Sequence, residues 1–315
     1  MKVEAYIGIS SMVEGNYSIR VRLKAYYSLL RPFTLLAPIV VSISVMIASL
    51  IQSGCSDLSL YRVLLMIMSG SVSLALLNGA SNALNQVTDV EEDRLSKPYR
   101  PLPRGLLRSD EVYILSIVLY LSAYLLSLIV HYVFSLFVLS IMFFTVSYSL
   151  YPRMKRFVFW NQIWVAIPRG FLGILSSWSV FNDPFQSVPL AIGCIAAIFL
   201  FGGTVTKDVL DSDADRAVGV HTLVNTIGVR RSSFVAGVFM SLAFVLIVPL
   251  VFVGVLGYYL LPLSVLSLIS VYTAYLMFRS MRNERYENTR AWCYMYGNYF
   301  VFALGFATLT IFSCF

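Results

Sequence analysis

Charged residues are scarce in this sequence. Asp, Glu, Lys and Arg make up 12% of its 315 residues, and hydrophobic residues make up 58%. A soluble globular domain contains about 25% charged residues. The composition therefore excludes an ordinary soluble domain and indicates an integral membrane protein surrounded by lipid.

Residues that commonly bind zinc or form redox pairs are also few. The four cysteines show no paired ligand spacing, and neither of the two histidines has metal-ligand spacing. We therefore expect inert packing for the cysteines and surface positions for the histidines. These residues are Cys55, Cys194, Cys293, Cys314, His131 and His221.

Regular apolar and polar alternation, the pattern of a membrane β-barrel, is absent. Lipid admits only helices or closed barrels, and one helical crossing needs roughly 20 apolar residues. Nine such stretches are present, at 33–52, 61–86, 110–130, 132–151, 161–182, 188–207, 231–256, 257–277 and 292–314. We predict an all-α, multi-pass transmembrane bundle of about nine helices in a single domain, residues 1–315, with residues 1–30 as a cytoplasmic or interfacial segment.

Basic residues are nearly absent from every second loop, such as 53–60 and 183–187. All but Arg62 and Arg169 of the 23 Lys and Arg lie in the N-terminal segment or in loops after the even-numbered spans. The positive-inside rule then predicts a cytoplasmic N-terminus in the cell membrane. The same rule explains the net charge of +7 without a nucleic-acid partner.

Acidic residues are concentrated at two points. Two clusters hold eight of the sixteen carboxylates: Asp89, Glu91, Glu92 and Asp93 after the second span, and Asp208, Asp211, Asp213 and Asp215 at the end of the sixth. Hard cations with oxygen ligands commonly explain such clusters. We therefore expect the chemistry of the protein to take place there.

Helical periodicity places most of these acids on two faces. At about 100° per residue, one face carries Asn82, Asn85, Asp89 and Asp93 and the other carries Asp208, Asp211 and Asp215. Glu91 and Asp213 point away, and Glu92 lies close to its face. Asp89 and Asp211 are 122 residues apart, as are Asp93 and Asp215. This distance corresponds to four crossings, so both clusters are expected to face one cavity, open to the cytoplasmic side.

Basic residues lie beside both clusters. They are Lys97, Arg100 and Arg104 after the first, Lys207 and Arg216 around the second, and Lys155 and Arg156 in the loop between. Two acid-lined Mg²⁺ positions with several cations suit a diphosphate, because the metals bridge its oxygens and the cations neutralise the rest. The alternative is that these are ordinary solvated loop charges.

These residues resemble the UbiA superfamily of intramembrane prenyltransferases. The segments NQVTDVEEDRLSKPYRPLPRG and KDVLDSDADRAVGVHTL are similar to the family signatures N-x-x-x-D-x-x-x-D and D-x-x-x-D. Further similarities are Arg31-Pro32 before the first span and Tyr148-Ser149 with Lys155-Arg156 after the fourth. Asp213 is an extra acid that departs from the pattern.

The resemblance implies a set of site residues. Mg²⁺, as two ions, is expected on Asn85, Asp89, Asp93, Asp208, Asp211 and Asp215, of which Asp89, Asp93, Asp211 and Asp215 are the expected catalytic residues. Diphosphate contacts are expected from Lys97, Arg104, Lys155 and Lys207. The reaction implied is transfer of a prenyl group from a prenyl diphosphate, such as geranylgeranyl diphosphate, to an acceptor. Aromatic faces can shelter the allylic cation, and the candidates are Tyr99, Tyr148, Phe201 and Trp178.

We predict an aromatic acid or phenol, such as 4-hydroxybenzoate, as the acceptor, and a glycerol phosphate lipid is the alternative. Arg31, Tyr148 and Ser149 are candidate acceptor ligands. Arg169 is another, since an intramembrane charge indicates a functional site, although it can also pair structurally with a neighbouring helix. A cation-coupled transporter is the alternative from another class. Transport sites usually lie near the bilayer midplane, whereas these carboxylates lie at one face.

Overall fold

In the computed structural model, residues 17–54, 58–217, 219–280 and 289–314 are described. The side chains of residues 210, 211, 213–215, 217 and 280 lie outside this description. The described regular structure is entirely helical. Predictions for residues 1–16 and for the side chains of Asp211, Asp213 and Asp215 therefore fall outside the described part of the protein.

Fifteen α-helices are present in the described residues. In chain order they are α1 (Ile19–Leu30), α2 (Pro32–Ser53), α3 (Leu60–Thr88), α4 (Val90–Ser96), α5 (Ser109–Val130), α6 (Tyr132–Ser149), α7 (Trp160–Ala166), α8 (Leu172–Trp178), α9 (Ser187–Gly203), α10 (Val205–Ala217), α11 (Leu223–Ile227), α12 (Val229–Val245), α13 (Ile247–Phe252), α14 (Leu266–Ser280) and α15 (Arg290–Phe312). Short 3₁₀ helices cover Met154–Arg156 and Tyr258–Val265, and a π-helical turn covers Ile167–Phe171.

Eight stretches of the described chain are helical, long and apolar enough to cross a membrane. They are Pro32–Ser53, Leu60–Thr88, Ser109–Val130, Tyr132–Ser149, Ser187–Val209, Val229–Phe252, Tyr258–Arg279 and Arg290–Phe312. The fifth predicted span, 161–182, is helical from Trp160 to Trp178 but is interrupted by the π-turn. The predicted all-α, multi-pass bundle is confirmed, and the fifth of its nine predicted spans is an interrupted helix.

The π-turn between α7 and α8 has two local causes. Pro168 has no backbone N–H, so it cannot complete the α-helical bond at that point. Gly170 packs directly on α9, because a Cβ at this position would lie 2.7 Å from the Cα of Ala197. The turn places Arg169 at the wall of a central cavity.

A second interruption separates α1 from α2. Arg31 adopts a left-handed conformation with φ 55°, and Pro32 begins α2, where its missing N–H costs nothing. Helix α1 buries Ala25 and Leu29 against the bundle. The Arg22 guanidinium pairs with Glu111 on α5 at 2.6 Å.

Large aromatic side chains fill the core between α8, α9, α12 and α15. Trp178, Phe199, Phe244, Phe302 and Phe306 are fully buried. The rings of Phe199 and Phe244 are 5.1 Å apart. On the outward faces large apolar side chains remain exposed, as suits a surface that contacts lipid.

Candidate active site

Two adjoining cavities lie where the motif helices meet. The outer cavity, of about 120 Å³, is lined by Asn85, Asp89, Asp93 and Asp208 together with Lys97, Lys155 and Lys207. The central cavity, of about 200 Å³, continues inward between the helices. Arg31, Asn85, Tyr148 and Lys207 line both cavities. The structure thus brings both sequence motifs to one site.

Asp89 accepts hydrogen bonds from several side chains around the outer cavity. Its Oδ2 accepts a hydrogen bond from Asn85 Nδ2 at 2.9 Å, and its Oδ1 accepts from Arg153 Nη2 at 2.9 Å and from Lys155 Nζ. Ser149 Oγ lies 3.4 Å from Asn85 Oδ1. Ser149 is buried behind Asn85 and is not among the residues that line the two cavities, so it supports a site residue.

Arg153 is a site residue that the sequence reasoning missed. It is mostly buried, and its Nη2 also donates to Thr88 O at 2.7 Å and to Glu92 Oε1 at 2.9 Å. It therefore caps the C-terminal end of α3 and holds two acids at once. Arg156, which the sequence singled out, is 43% exposed and lies 3.9 Å from Glu92. Both are basic residues of one loop, so only the fold distinguishes them.

The predicted helical face that carries Asn82, Asn85, Asp89 and Asp93 is divided between two helices, α3 and α4. Helix α3 ends at Thr88, and Asp89 serves as the cap between the two helices. Asp93 on α4 nevertheless lines the same cavity and pairs with the buried Arg100 at 2.6 Å. Glu91 is exposed and pairs with Arg94 outside the cavity, as its predicted direction requires.

Among the predicted diphosphate ligands, Arg104 occupies a different environment. Lys97, Lys155 and Lys207 line the outer cavity. Arg104 is exposed in the loop after α4 and lines neither cavity. Its proposed contact with a diphosphate thus requires movement of this loop.

The second motif contributes a buried polar network. Asp208 Oδ2 accepts hydrogen bonds from Asn161 Nδ2 and Gln162 Nε2, both at 3.1 Å. Lys207 Nζ donates to the hydroxyl of Tyr148 at 2.9 Å, and that hydroxyl donates to Asn161 Oδ1 at 2.8 Å. Asn161 and Gln162 were missed by the sequence reasoning. The only sequence signal was a polar pair at the start of an apolar span.

Asp211 and Asp215 lie on α10 by their backbone positions, and their side chains are outside the description. Helix α10 packs against α4. The segments that carry the two acidic motifs therefore meet, as the matched spacing predicts.

The donor set of the outer cavity fits Mg²⁺ bound together with a phosphate ligand. Among the described side chains, no three His, Cys, Asp or Glu residues converge as a metal cage. Mg²⁺ is commonly held by one or two carboxylates plus substrate phosphates rather than by an all-protein cage. Asn85, Asp89, Asp93 and Asp208 present oxygen donors to one cavity. This chemistry suits a hard divalent cation.

The central cavity is deep and mainly apolar at its inner end. On α3 its lining runs from Gln86 to Leu74, about 18 Å at 1.5 Å per residue. Val41, Ile141 and Ser177 line the inner end. A long apolar chain can lie along this wall.

The aromatic residues of the cavity differ from most of those proposed from sequence. Tyr148 lines it as expected, and the other aromatic lining residues are Trp164, Trp292, Tyr296 and Tyr299. Trp178 is fully buried in the core instead, and Phe201 packs on Phe239 with a ring separation of 4.6 Å. Tyr99 is 39% exposed and lines neither cavity. Composition alone cannot select which aromatic residues face inward.

The sequence is similar to a prenyltransferase family and to individual proteins with related names. The sequence model of the UbiA prenyltransferase family matches residues 35–304. A chloroplastic homogentisate solanesyltransferase of Arabidopsis thaliana is 29% identical over 239 residues, which are 72% of this chain and 61% of that protein. A digeranylgeranylglyceryl phosphate synthase of Methanothermobacter thermautotrophicus is 28% identical over 242 residues, 77% of this chain and 80% of that protein. The chain thus spans less than two thirds of the length of the plant relative.

Solved structures share the fold. A UbiA homolog from Archaeoglobus fulgidus bound to GPP and Mg²⁺ has a TM-score of 0.68 at 18% identity, covering 91% of this chain and 99% of that one. An apo UbiA homolog from Aeropyrum pernix K1 has a TM-score of 0.66 at 16% identity, covering 89% of this chain and 98% of that one. With the family match over residues 35–304 and two acidic motifs meeting at one cavity, this chain belongs to the UbiA prenyltransferase family.

Proposed function

We propose that this protein transfers a prenyl group from a prenyl diphosphate to an aromatic acceptor, such as 4-hydroxybenzoate or a related quinone precursor, in a Mg²⁺-dependent reaction. The observation that carries the proposal is the junction of the two cavities. A cavity rich in carboxylates and cations opens into a deep apolar one, and Arg31 lines both. A substrate with a diphosphate head and a long apolar tail matches that division.

The outer cavity would hold the diphosphate. Lys97, Lys155 and Lys207 would contact its oxygens, and Arg104 would join them if its loop closes. Two Mg²⁺ ions would be held by Asn85, Asp89, Asp93, Asp208, Asp211 and Asp215. When bound, Mg²⁺ supplies charge neutralisation for the leaving diphosphate. The lysines remain positioned to bind the released anion.

The central cavity would shelter the reacting carbon. The bond between C1 of the prenyl group and the diphosphate oxygen breaks, and its electron pair leaves with the diphosphate. An aromatic carbon of the acceptor then forms the new bond, and the proton that this carbon loses passes to the released diphosphate. The faces of Tyr148, Trp292 and Tyr296 can each stabilise the allylic cation by about 0.5–2 kcal/mol. Apolar walls exclude water that would otherwise capture the cation.

Arg31 is the proposed partner for an anionic group of the acceptor. It lines both cavities, so an acceptor paired with it lies beside the C1 end of the prenyl diphosphate. Tyr148 is the nearby hydroxyl, with Lys207 2.9 Å from its oxygen. Arg169 lines the central cavity from the π-turn and is the second proposed cation. Ser149 would act indirectly through Asn85.

Prenyl transfer to a glycerol phosphate lipid is the second candidate. Arg31 and Arg169 are two of the cationic side chains that line the central cavity, and two guanidinium groups suit a phosphate as well as a carboxylate. Relatives of both kinds, named homogentisate solanesyltransferase and digeranylgeranylglyceryl phosphate synthase, are similar to this chain at comparable identities. The proposed site faces the cytoplasm, because most basic residues lie on that side.

A panel of acceptors tests the proposal. Purified protein is incubated with geranylgeranyl diphosphate, Mg²⁺ and 4-hydroxybenzoate, homogentisate, dihydroxynaphthoate or geranylgeranylglycerol phosphate, and products are identified by mass spectrometry. We expect diphosphate release that requires both Mg²⁺ and an aromatic acceptor. Exclusive prenylation of the glycerol phosphate lipid would assign the second function. Mg²⁺ flux into liposomes without diphosphate release would instead support a transporter.

An acceptor variant pair separates the two candidate functions. Arg31→Ala should raise the KM for an aromatic acid by about 10- to 100-fold, because a charge-assisted hydrogen bond contributes about 1.5–3 kcal/mol. Arg156→Ala is the matched control, since Arg156 is 43% exposed and lines neither cavity. A silent Arg31→Ala with loss of acceptor binding in Arg156→Ala would contradict the aromatic assignment.

A further inference from the structure

Three amide side chains on α3 form a ladder against the junction of α1 and α2. Asn78, Asn82 and Gln86 are spaced four residues apart and all line the central cavity. Gln86 Nε2 donates to Leu29 O at 2.6 Å, and Asn82 Nδ2 donates to Leu30 O at 3.1 Å. These three residues are called the amide ladder below.

Asn78 and Asn82 of the amide ladder contact the first turn of α2. Asn82 Nδ2 also donates to Thr34 Oγ1 at 2.9 Å, and Asn78 Nδ2 donates to Thr34 O at 3.0 Å. The ladder therefore bonds to the chain on both sides of Arg31. Its contacts span the whole break between the two helices.

Each backbone carbonyl in these contacts lacks a helical donor for an identifiable reason. Leu29 and Leu30 are the last residues of α1, where helix ends leave carbonyls unpaired. Thr34 O lies four residues before Pro38, which has no N–H to donate. In a membrane an unpaired carbonyl is costly, so the three amides replace donors that the break and Pro38 remove.

The conformation held in this way is a disfavoured one. Arg31 has φ 55°, in the left-handed region that residues with a Cβ rarely occupy. Gln86 Oε1 is buried without a hydrogen-bond partner, whereas its Nε2 is hydrogen-bonded to Leu29 O. The side chain therefore carries the cost of one unpaired polar atom. Such local costs are typical of groups that fix a functional residue.

We propose that the amide ladder is a positioning device for Arg31, which fixes the left-handed turn so that the guanidinium stays at the junction of the two cavities. The inference rests on the proposed substrate contact of Arg31. The ladder residues act through Arg31 and are positioning residues. Loss of one amide frees the turn, and the acceptor then binds to a less ordered site.

A double-mutant cycle tests this role. Asn82→Ala should raise the acceptor KM about tenfold with little change in kcat, which corresponds to ~1.4 kcal/mol. In the Arg31→Ala background the same change should add little, because the residue being positioned is already lost. Ser73→Ala is the matched control, since Ser73 is a buried α3 residue that donates to the Ala123 carbonyl at 2.7 Å. It should leave the KM unchanged.

Hydrogen exchange gives a readout that is independent of activity. Exchange of the amides in residues 29–37 should accelerate in Asn82→Ala and not in Ser73→Ala. Asn78→Ala provides a second variant if Asn82→Ala does not fold. Adding Pro38→Ala to Asn78→Ala should reduce the effect of Asn78→Ala, because residue 38 then has an N–H that can donate to Thr34 O. The positioning role would be overturned if the increases in acceptor KM of Asn82→Ala and Arg31→Ala multiplied in the double variant. It would also be overturned if hydrogen exchange in residues 29–37 were the same in Asn82→Ala as in the unaltered protein. An Arg31→Ala variant with no effect on any substrate KM would instead overturn the proposed role of Arg31.

Discussion

Arg153 holds Asp89 although two membrane spans separate them in the chain. Arg153 Nη2 lies 2.9 Å from Asp89 Oδ1 and the same nitrogen bonds the last carbonyl of α3, at Thr88. The residue that follows the fourth span thus fixes the carboxylate that follows the second. The position of a central acid depends on a loop that the acidic motif does not contain.

Arg153→Ala should destabilise the protein as well as displace Asp89. Removing one partner of a mostly buried ion pair costs on the order of 3 kcal/mol. We expect a lower melting temperature in detergent and a weaker Mg²⁺ dependence of turnover. Arg156→Ala, in the same loop but 43% exposed, should change stability by less than about 1 kcal/mol. Equal melting temperatures for the two variants would contradict this assignment.

Removal of the motif acids should abolish turnover while the fold persists. Asp89→Ala and Asp211→Ala should each lower diphosphate release by at least about 100-fold, because neutralisation of the leaving group is lost. Glu91→Ala is the control, since Glu91 is exposed and pairs with Arg94. Asp213→Ala should also be mild. Wild-type turnover in EDTA, or equal damage from Asp213→Ala and Asp211→Ala, would refute the metal assignment.

Filling the inner end of the central cavity should shorten the accepted prenyl chain. Ser177 lines that end, so Ser177→Phe should reduce turnover of geranylgeranyl diphosphate strongly and of geranyl diphosphate little. The physical reason is that the phenyl ring occupies space that only the end of a long prenyl chain needs. Ser140→Phe on the exposed face of α6 is the control. If both chain lengths lose turnover equally in Ser177→Phe, the tail lies elsewhere.

The segments after the two motifs, residues 94–109 and 216–230, should become ordered over bound diphosphate. Lys97 and Thr222 from these segments line the outer cavity, and His221 N–H donates to Arg156 O at 3.2 Å. We expect slower hydrogen exchange in both segments with Mg²⁺ and an unreactive thio-diphosphate analogue, since a closed lid excludes water. Arg104 should gain protection as its loop closes. Identical exchange with and without ligand would exclude a lid.

The sequence determined the helical class, the membrane setting and the two facing acidic motifs. Span length and helical periodicity are local properties, so they are read directly from neighbouring residues. The apolar stretch 161–182 predicts one continuous span, although Pro168 lies inside it, so the interruption was not predicted. The sequence also fixed the direction of Glu91 away from the cavity.

Only the tertiary structure decided which polar residues complete the site. Arg153, Asn161 and the amide ladder bond to partners more than 40 residues away, and no local pattern specifies those partners. The same holds for the aromatic residues, where Trp292 lines the cavity and Trp178 is buried in the core. Periodicity fixes a residue's face on its own helix, whereas the packing of helices decides what that face meets.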